Sequence, residues 1–545
     1  MTGVSRRVFM RNTAAAGGAA LALPALGGWA GEAFAAEPTA AAAIASSQLV
    51  TVLPSDPRYA ALVAGANGRW VGTPNYVLVA STADQVLQAV QETLDKGLRF
   101  TVRSGGHCYE DFTSNANIRV LIDISAMTGI SHDSARRAIA VDAGAQLGSV
   151  YETLYNNWGV TIPGGTCPTV SVGGHIPGGG YGPLARSHGV TVDHLYAIEI
   201  VHVDAGGVAR KIVATREAND PNRELWWAHT GAGGGSYGIV TRWWFRSPGA
   251  TGNDPATLLP KAPRELIVSE VAFSWNGMTE AAFTRLLRNF TAWHENNASA
   301  TSPYAKLFSA IKPRHKLAGE FLMSSQIDTA LPNADALLDN YLAAIVAGTG
   351  LTYRVDTRQR VDWLYNVLHW PGLGGSGFEG KGRFKAKSAY LRRTMPDHQI
   401  KAFWKHLTRT DYNNSAALVE IAGYGGAANL PASSATATAQ RDSVIKMLFV
   451  NLWATPQEDA ANLAWIREFY RDVYAGTGGV PRPGGVNDGA FINYADADLA
   501  DPALNTSGVG WEHLYFKDGY CRLQAAKDKW DPKNIFRHTL SIRNT

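Results

Sequence analysis

The sequence predicts an α+β protein built of two units. Short β-branched runs alternate with helix-period segments along most of the chain. At 545 residues the chain is longer than one hydrophobic core commonly serves. A Pro-, Gly- and Thr-rich stretch, "SPGATGNDPATLLPKAP", interrupts the pattern at residues 247–263 and reads as a linker.

The first unit is expected over about 60–248. "GTPNYVLVASTADQVLQAVQE" reads as a strand, a cap at Ser81 or Thr82, and an amphipathic helix. "RFTVRSGG" is a strand ending in glycines, and "VLIDIS" and "AIAVDAGAQ" are short strands. "SVYETLYNNWG" is a helix with a glycine stop, and "LYAIEIVHVDA" and "GIVTRWWFRS" are strands. The second unit, about 260–500, alternates the strands "LIVSEVAFSW", "ALVEIAGYGG" and "SVIKMLFVNLW" with the helices "TEAAFTRLLRNFTAWHEN", "DALLDNYLAAIVAG" and "ANLAWIREFYRDVYAG". That pattern fits an antiparallel sheet covered by helices on one face. Residues 501–545 hold a helix and a turn at Asp531-Pro532.

Composition narrows the function. Hydrophobic residues are 46% and charged residues 18%, the balance of a soluble globular protein. Net charge is +4, of which the first 36 residues supply +2 through Arg6, Arg7, Arg11 and Glu32. No basic arm or zinc-finger spacing remains, which argues against nucleic-acid binding. The opening "SRRVFM", a mild Ala/Gly/Leu stretch and Ala33-Phe34-Ala35 resemble a cleaved twin-arginine export signal over 1–36. The mature chain is therefore expected outside the cytoplasm, with no membrane span. Only Cys108, Cys167 and Cys521 are present, an odd count.

Chemistry gathers in glycine clusters. In "SGGHCYED", Gly105 and Gly106 lead into His107 at a strand end, where backbone N–H groups can face an anion such as pyrophosphate. Cys167 sits in the constrained loop "PGGTCPTVSVGG". A disulfide to Cys108, or a metal site with His107, Cys108 and His175, stands as an alternative there, although no CxxC or HxxxH pair supports a metal. "GGHIPGGGYGPLARSHG" and "GAGGGSYGIVT" match neither a Rossmann turn nor a P-loop. They suggest a large flat ligand pressed against backbone. "GAFINYADADL" sets Tyr494 at a strand end, and a tyrosine base, with an ordinary pKa of about 10, needs positive charge nearby or concerted hydride loss.

Taken in order, these motifs resemble the berberine-bridge-enzyme-like flavoprotein oxidases, across roughly residues 60–543. The resemblance implies a two-part FAD-binding domain of the PCMH/vanillyl-alcohol-oxidase type, with 501–545 returning to it, beside a substrate domain. It implies bicovalent FAD, with His107 on the 8α-methyl and Cys167 on C6. Arg103, Ser104, Gly105, Gly106, Gly173, Gly174, Gly178, Gly179, Gly180, His188, Gly238, Ile239 and Val240 would line the cofactor. Tyr494 matches the family's catalytic tyrosine. Tyr424 is expected to face the same cavity in support, with Glu420 as a rival base that one alternation would turn away. Lys387 matches a family segment without an assigned role. The implied reaction is oxidation of a hydroxyl on a sugar or glycosylated natural product, such as the terminal deoxysugar of an anthracycline, with O2 reduced to H2O2. The alternatives are a flavin dehydrogenase, an oxidative cyclase and a non-catalytic sugar-binding protein. A Cys108–Cys521 pairing stays open.

Overall fold

The computed structural model describes residues 48–369 and 382–545. The predicted export signal and the glycine-rich stretch 370–381 lie outside the described residues.

Three sheets form the frame. The first holds β1 (Val50–Val52), β2 (Tyr76–Val79), β3 (Phe100–Arg103) and β4 (Val120–Asp123), in the order β1-β2-β4-β3. β2 and β3 run parallel to β4. Its central strand β4 is buried throughout, which is why "VLID" lacks alternation. Thr82 accepts a hydrogen bond from the Gln85 N–H and starts the helix Ala83–Asp95. That helix buries Val86, Ala89 and Val90 and packs between the first sheet and the second. The second sheet, wholly antiparallel, is β5 (Ile130–Asp133), β6 (Ala138–Asp142), β9 (Ile239–Phe245), β7 (Leu195–Val203) and β8 (Ala209–Thr215).

The third sheet has seven antiparallel strands: β10 (Glu265–Ser274), β11 (Leu307–Lys312), β12 (Glu320–Asp328), β13 (Arg354–Asp362), β14 (Arg383–Leu391), β15 (Leu418–Gly423) and β16 (Ile445–Trp453). Their order is β13-β10-β12-β11-β15-β16-β14. The helices Glu280–Asn296, Ala334–Val346, Asp397–Thr408 and Asp459–Val473 cover one face. Sequence patterning did not mark β1, β5, β8 or β11 to β14. β13, "RVDTRQRVD", is a mostly exposed, charged edge strand, the kind that resists pairing with another chain.

Register fixes what the uncovered face presents. Glu270 pairs with Ser324, Lys312 with Leu322, Glu420 with Leu448, and Ala422 with Lys446. Because strand side chains alternate, all of these point to one side. Beyond the sheet, the helix Tyr520–Trp530 packs on the helix Arg223–Ala228, and its Trp530 carbonyl meets His202 of β7. Its buried Lys527 donates to the Ser236 and Phe536 carbonyls and pairs with Asp531. Cys108 and Cys521 are free thiols, so Cys108 pairs with neither Cys521 nor Cys167. Among the described residues no helix is long and apolar enough to cross a membrane.

Candidate active site

A cavity of about 790 Å³ lies between the uncovered face of the third sheet and the glycine loops of the first unit. This is within the range of sites for drug-sized ligands and cofactors. One wall is mostly backbone. The other is made of side chains.

The backbone wall begins where β3 ends. Arg103 Nη1 pairs with Asp123 at 2.6 Å, and Ser104 Oγ donates to the Ala143 carbonyl at 2.7 Å. Gly106 sits at φ +72°, a left-handed position that glycine adopts without steric cost. A Cβ on Gly105 would stand 2.7 Å from Ser171 N, and one on Gly173 would stand 2.6 Å from Ala143 O. Those two glycines let loop touch loop. Gly174 is different. It lines the cavity, and a Cβ there would meet no atom within 4 Å. Gly238, Ile239 and Val240 complete this wall.

His107 and Cys167 both reach the cavity. Thr169 lies between them, its Oγ1 3.1 Å from His107 Nε2 and 3.4 Å from Cys167 Sγ. Burial, reinforced by the Arg103 charge, lowers the His107 imidazole to about 4, so it is neutral near pH 7.

Tyr494 enters from the opposite side. Its ring stacks on Tyr109 at 5.5 Å and 6°. The Lys446 ammonium stands 3.8 Å above the Tyr494 ring, and 4.5 and 4.7 Å from Tyr181 and Phe491. Burial brings Lys446 down to about 7, with Glu420 opposing it. Burial also drives the Tyr494 phenol well above 10, with Tyr109 and Glu420 adding to the rise. The cation over the ring pulls the other way, since its attraction grows as the phenol loses its proton.

The far end of the side-chain wall is charged. Lys312 Nζ is 3.5 Å from Glu420, and Ser324 Oγ donates to Glu270 at 3.3 Å, with Arg314 beside them. Leu322, Leu448 and Val450 supply apolar surface between. Behind Tyr494 a buried ion cluster ties the two walls together. Lys387 meets Asp496 and Asp498, each at 2.8 Å, and Lys385 meets Asp496 and Glu110. Glu110 follows His107 by three residues and accepts from the Ala497 N–H. The loop that carries His107 and the loop that carries Tyr494 are thus fastened to each other. Lys387, which sequence left without a role, belongs to this cluster and not to the cavity.

Three expectations need correction. Tyr424 does not line the cavity. β15 ends at Gly423, and the fully buried Tyr424 packs behind Tyr181 with its hydroxyl donated to the Gln440 carbonyl at 3.1 Å. Glu420, four residues earlier and within β15, is the one that faces it. Gly178, Gly179 and Gly180 also lie off the cavity. Cβ atoms there would strike Asn493, Thr438 and Thr191 at 1.9, 2.7 and 2.6 Å, so their glycines serve chain-to-chain packing. His188 is likewise off it, its carbonyl accepting from His194. Sequence reasoning missed Thr169, Glu270, Lys312, Arg314 and Lys446. Strand parity would have grouped the sheet residues once the pairing was known, but no local motif marks them.

The residues fit a bound FAD. Two side chains of nucleophilic type stand together at one end, neutral backbone faces the cavity, and Gly174 leaves open space. Comparison with known proteins agrees. The FAD binding domain family matches residues 74–210, and the family described as berberine and berberine like matches 490–543. The chain is 50% identical over 543 residues to aclacinomycin-N/aclacinomycin-A oxidase of Streptomyces galilaeus, covering 99% of this chain and 98% of the relative. Hexose oxidase of Chondrus crispus is 32% identical, covering 89% and 93%. The structure of a glycopeptide hexose oxidase complexed with teicoplanin superposes with a TM-score of 0.87 at 46% identity, covering 91% of this chain and 99% of that one. The chain therefore belongs to the berberine-bridge-enzyme-like family of FAD-dependent oxidoreductases.

Proposed function

We propose that the protein oxidises a hydroxyl-bearing carbon of a sugar or glycosylated natural product, with Tyr494 as base and FAD held by both His107 and Cys167. The observation that carries this is the pairing of Tyr494 with Lys446, opposite two adjacent side chains able to bond a flavin. When bound, FAD supplies the hydride acceptor, and dioxygen regenerates it with release of hydrogen peroxide. His107 and Cys167 fix the cofactor at one edge, which leaves the side-chain wall open to a bulky substrate. Tyr494 takes the hydroxyl proton at its Oη, helped by the cation above its ring. Glu270, Lys312, Arg314 and Glu420 offer both donors and acceptors to a polyhydroxylated substrate. The relatives named aclacinomycin-N/aclacinomycin-A oxidase and hexose oxidase support this substrate class. The "SRRVFM" opening supports export by the twin-arginine route.

The test starts with the purified chain precipitated in acid. A yellow pellet, with FAD mass added to the polypeptide, is expected, and colour released to the supernatant overturns covalent attachment. A peroxide-coupled screen of glycosides under air should find a substrate. Tyr494→Phe should keep the colour and lose turnover by about 10²-fold or more. Substrate turnover without peroxide would point to a dehydrogenase.

A further inference from the structure

We propose that the Thr169 hydroxyl is a shared relay that brings His107 and Cys167 together into the forms able to bond the flavin. This rests on the reading above that both residues hold the cofactor. Thr169 Oγ1 bridges them, 3.1 Å from His107 Nε2 and 3.4 Å from Cys167 Sγ. A hydroxyl has one hydrogen to give and lone pairs to accept. It cannot donate to the imidazole and to the sulfur at once.

Two arrangements follow. In the first, the neutral imidazole carries its proton on Nε2 and donates to Oγ1. The hydroxyl then donates to sulfur, which favours the thiolate, and Nδ1 keeps its lone pair. Both side chains are nucleophilic. In the second, the hydroxyl donates to Nε2, so the imidazole proton sits on Nδ1. The thiol S–H then points at Oγ1. Both side chains are blocked. The first arrangement is the second less one proton: the thiol hydrogen passes to Oγ1, the Oγ1 hydrogen passes to Nε2, and the Nδ1 hydrogen leaves to solvent, so ionisation of the thiol carries the imidazole tautomer with it. Burial and the Arg103 charge keep His107 neutral, as the relay requires.

Each attachment replaces one side-chain N–H or S–H and one ring-carbon or methyl C–H with a single N–C or S–C bond. The two hydrogens leave as two protons and two electrons, and dioxygen takes them as hydrogen peroxide. Thr169 is therefore a positioning residue. It moves a hydrogen and ends each step unchanged.

The experiment counts bonds. Wild type, Thr169→Val and Thr169→Ser are expressed as full chains and analysed by intact mass, by absorbance and by peptide mapping at His107 and Cys167. Loss of one ordinary hydrogen bond slows attachment by about three- to tenfold. Thr169→Val is expected to accumulate flavin that is bound once or released by acid, and Thr169→Ser to restore the doubly bound form. Acid-released yellow colour in the valine variant shows that it still folds around the cofactor. If Thr169→Val is doubly attached as fully as wild type from the earliest time of expression, the relay is wrong. If wild type itself carries no covalent flavin, the bicovalent reading fails first.

Discussion

At Tyr494, burial and charge pull in opposite directions. The apolar surroundings raise the phenol well above 10, yet Lys446 stands 3.8 Å over the ring. Removing that cation should cost turnover below about pH 7, where Lys446 keeps its charge. Lys446→Met is expected to lower it by about tenfold or more, the scale of a desolvated cation–π contact, with flavin content unchanged. The same change should stabilise the fold. The folded Lys446 sits near 7, below its ordinary 10.5, so between those values the unfolded chain binds the extra proton. Wild-type stability should then rise with pH from about 7 towards 10.5, the burial penalty being complete below 7. Unfolding midpoints across that range should climb in wild type and stay flatter in Lys446→Met. Parallel slopes would refute the assignment. His107, Cys167 and Tyr494 are legible in the sequence because each lies in a motif. Lys446 is not. It is one polar residue inside "SVIKMLFVNLW", and its importance comes from three rings brought to it from elsewhere in the chain.

At the scale of elements, adjacent glycines do different work. Gly173 makes room for the Ala143 carbonyl, and Gly174 borders the cavity itself. Gly173→Ala should therefore lower the melting midpoint of the protein. Gly174→Ala should leave the cofactor-free fold intact and weaken FAD retention, measured as bound flavin per chain. Equal effects on stability would contradict that division. A glycine run tells a reader that something comes close, but not whether it is ligand or chain. That is why the sequence points to Gly174 and to Gly178, Gly179 and Gly180 alike, although the last three lie against Asn493, Thr438 and Thr191. The strands around the site are partly legible. β15 and β16 announce themselves through apolar content, whereas β13 and β14 carry too many charges to read as strands. Without β11 and β12, the facing of Glu270, Lys312 and Glu420 cannot be worked out.

For the molecule as a whole, neutral buried histidines set the acid limit. Burial holds His229 near 4 and His294 near 3, below the ordinary 6.5. As pH falls below 6.5 the unfolded chain gains protons that the folded one refuses, so stability is lost between about 6.5 and 4, and further toward 3 through His294. Across that window each such histidine costs about 1.4 kcal/mol for every pH unit. Melting midpoints measured from pH 7 down to 4 should decline accordingly, and a flat profile would show that these groups stay solvated. The two-unit α+β character is legible because periodicity is local. The cavity is not, since it exists only where the three sheets meet. Its two walls also differ in how freely they can change. On the glycine side an added methyl meets backbone at Gly105, Gly173 and Gly238 and enters the cavity at Gly174, so substitutions at those four trade away the cofactor or the fold. On the sheet side, Glu270, Lys312, Leu322 and Glu420 hang from strands whose opposite face alone supports the helices. Selection, natural or in a laboratory library, can therefore rewrite which molecule is admitted while the oxidising machinery stays as inherited.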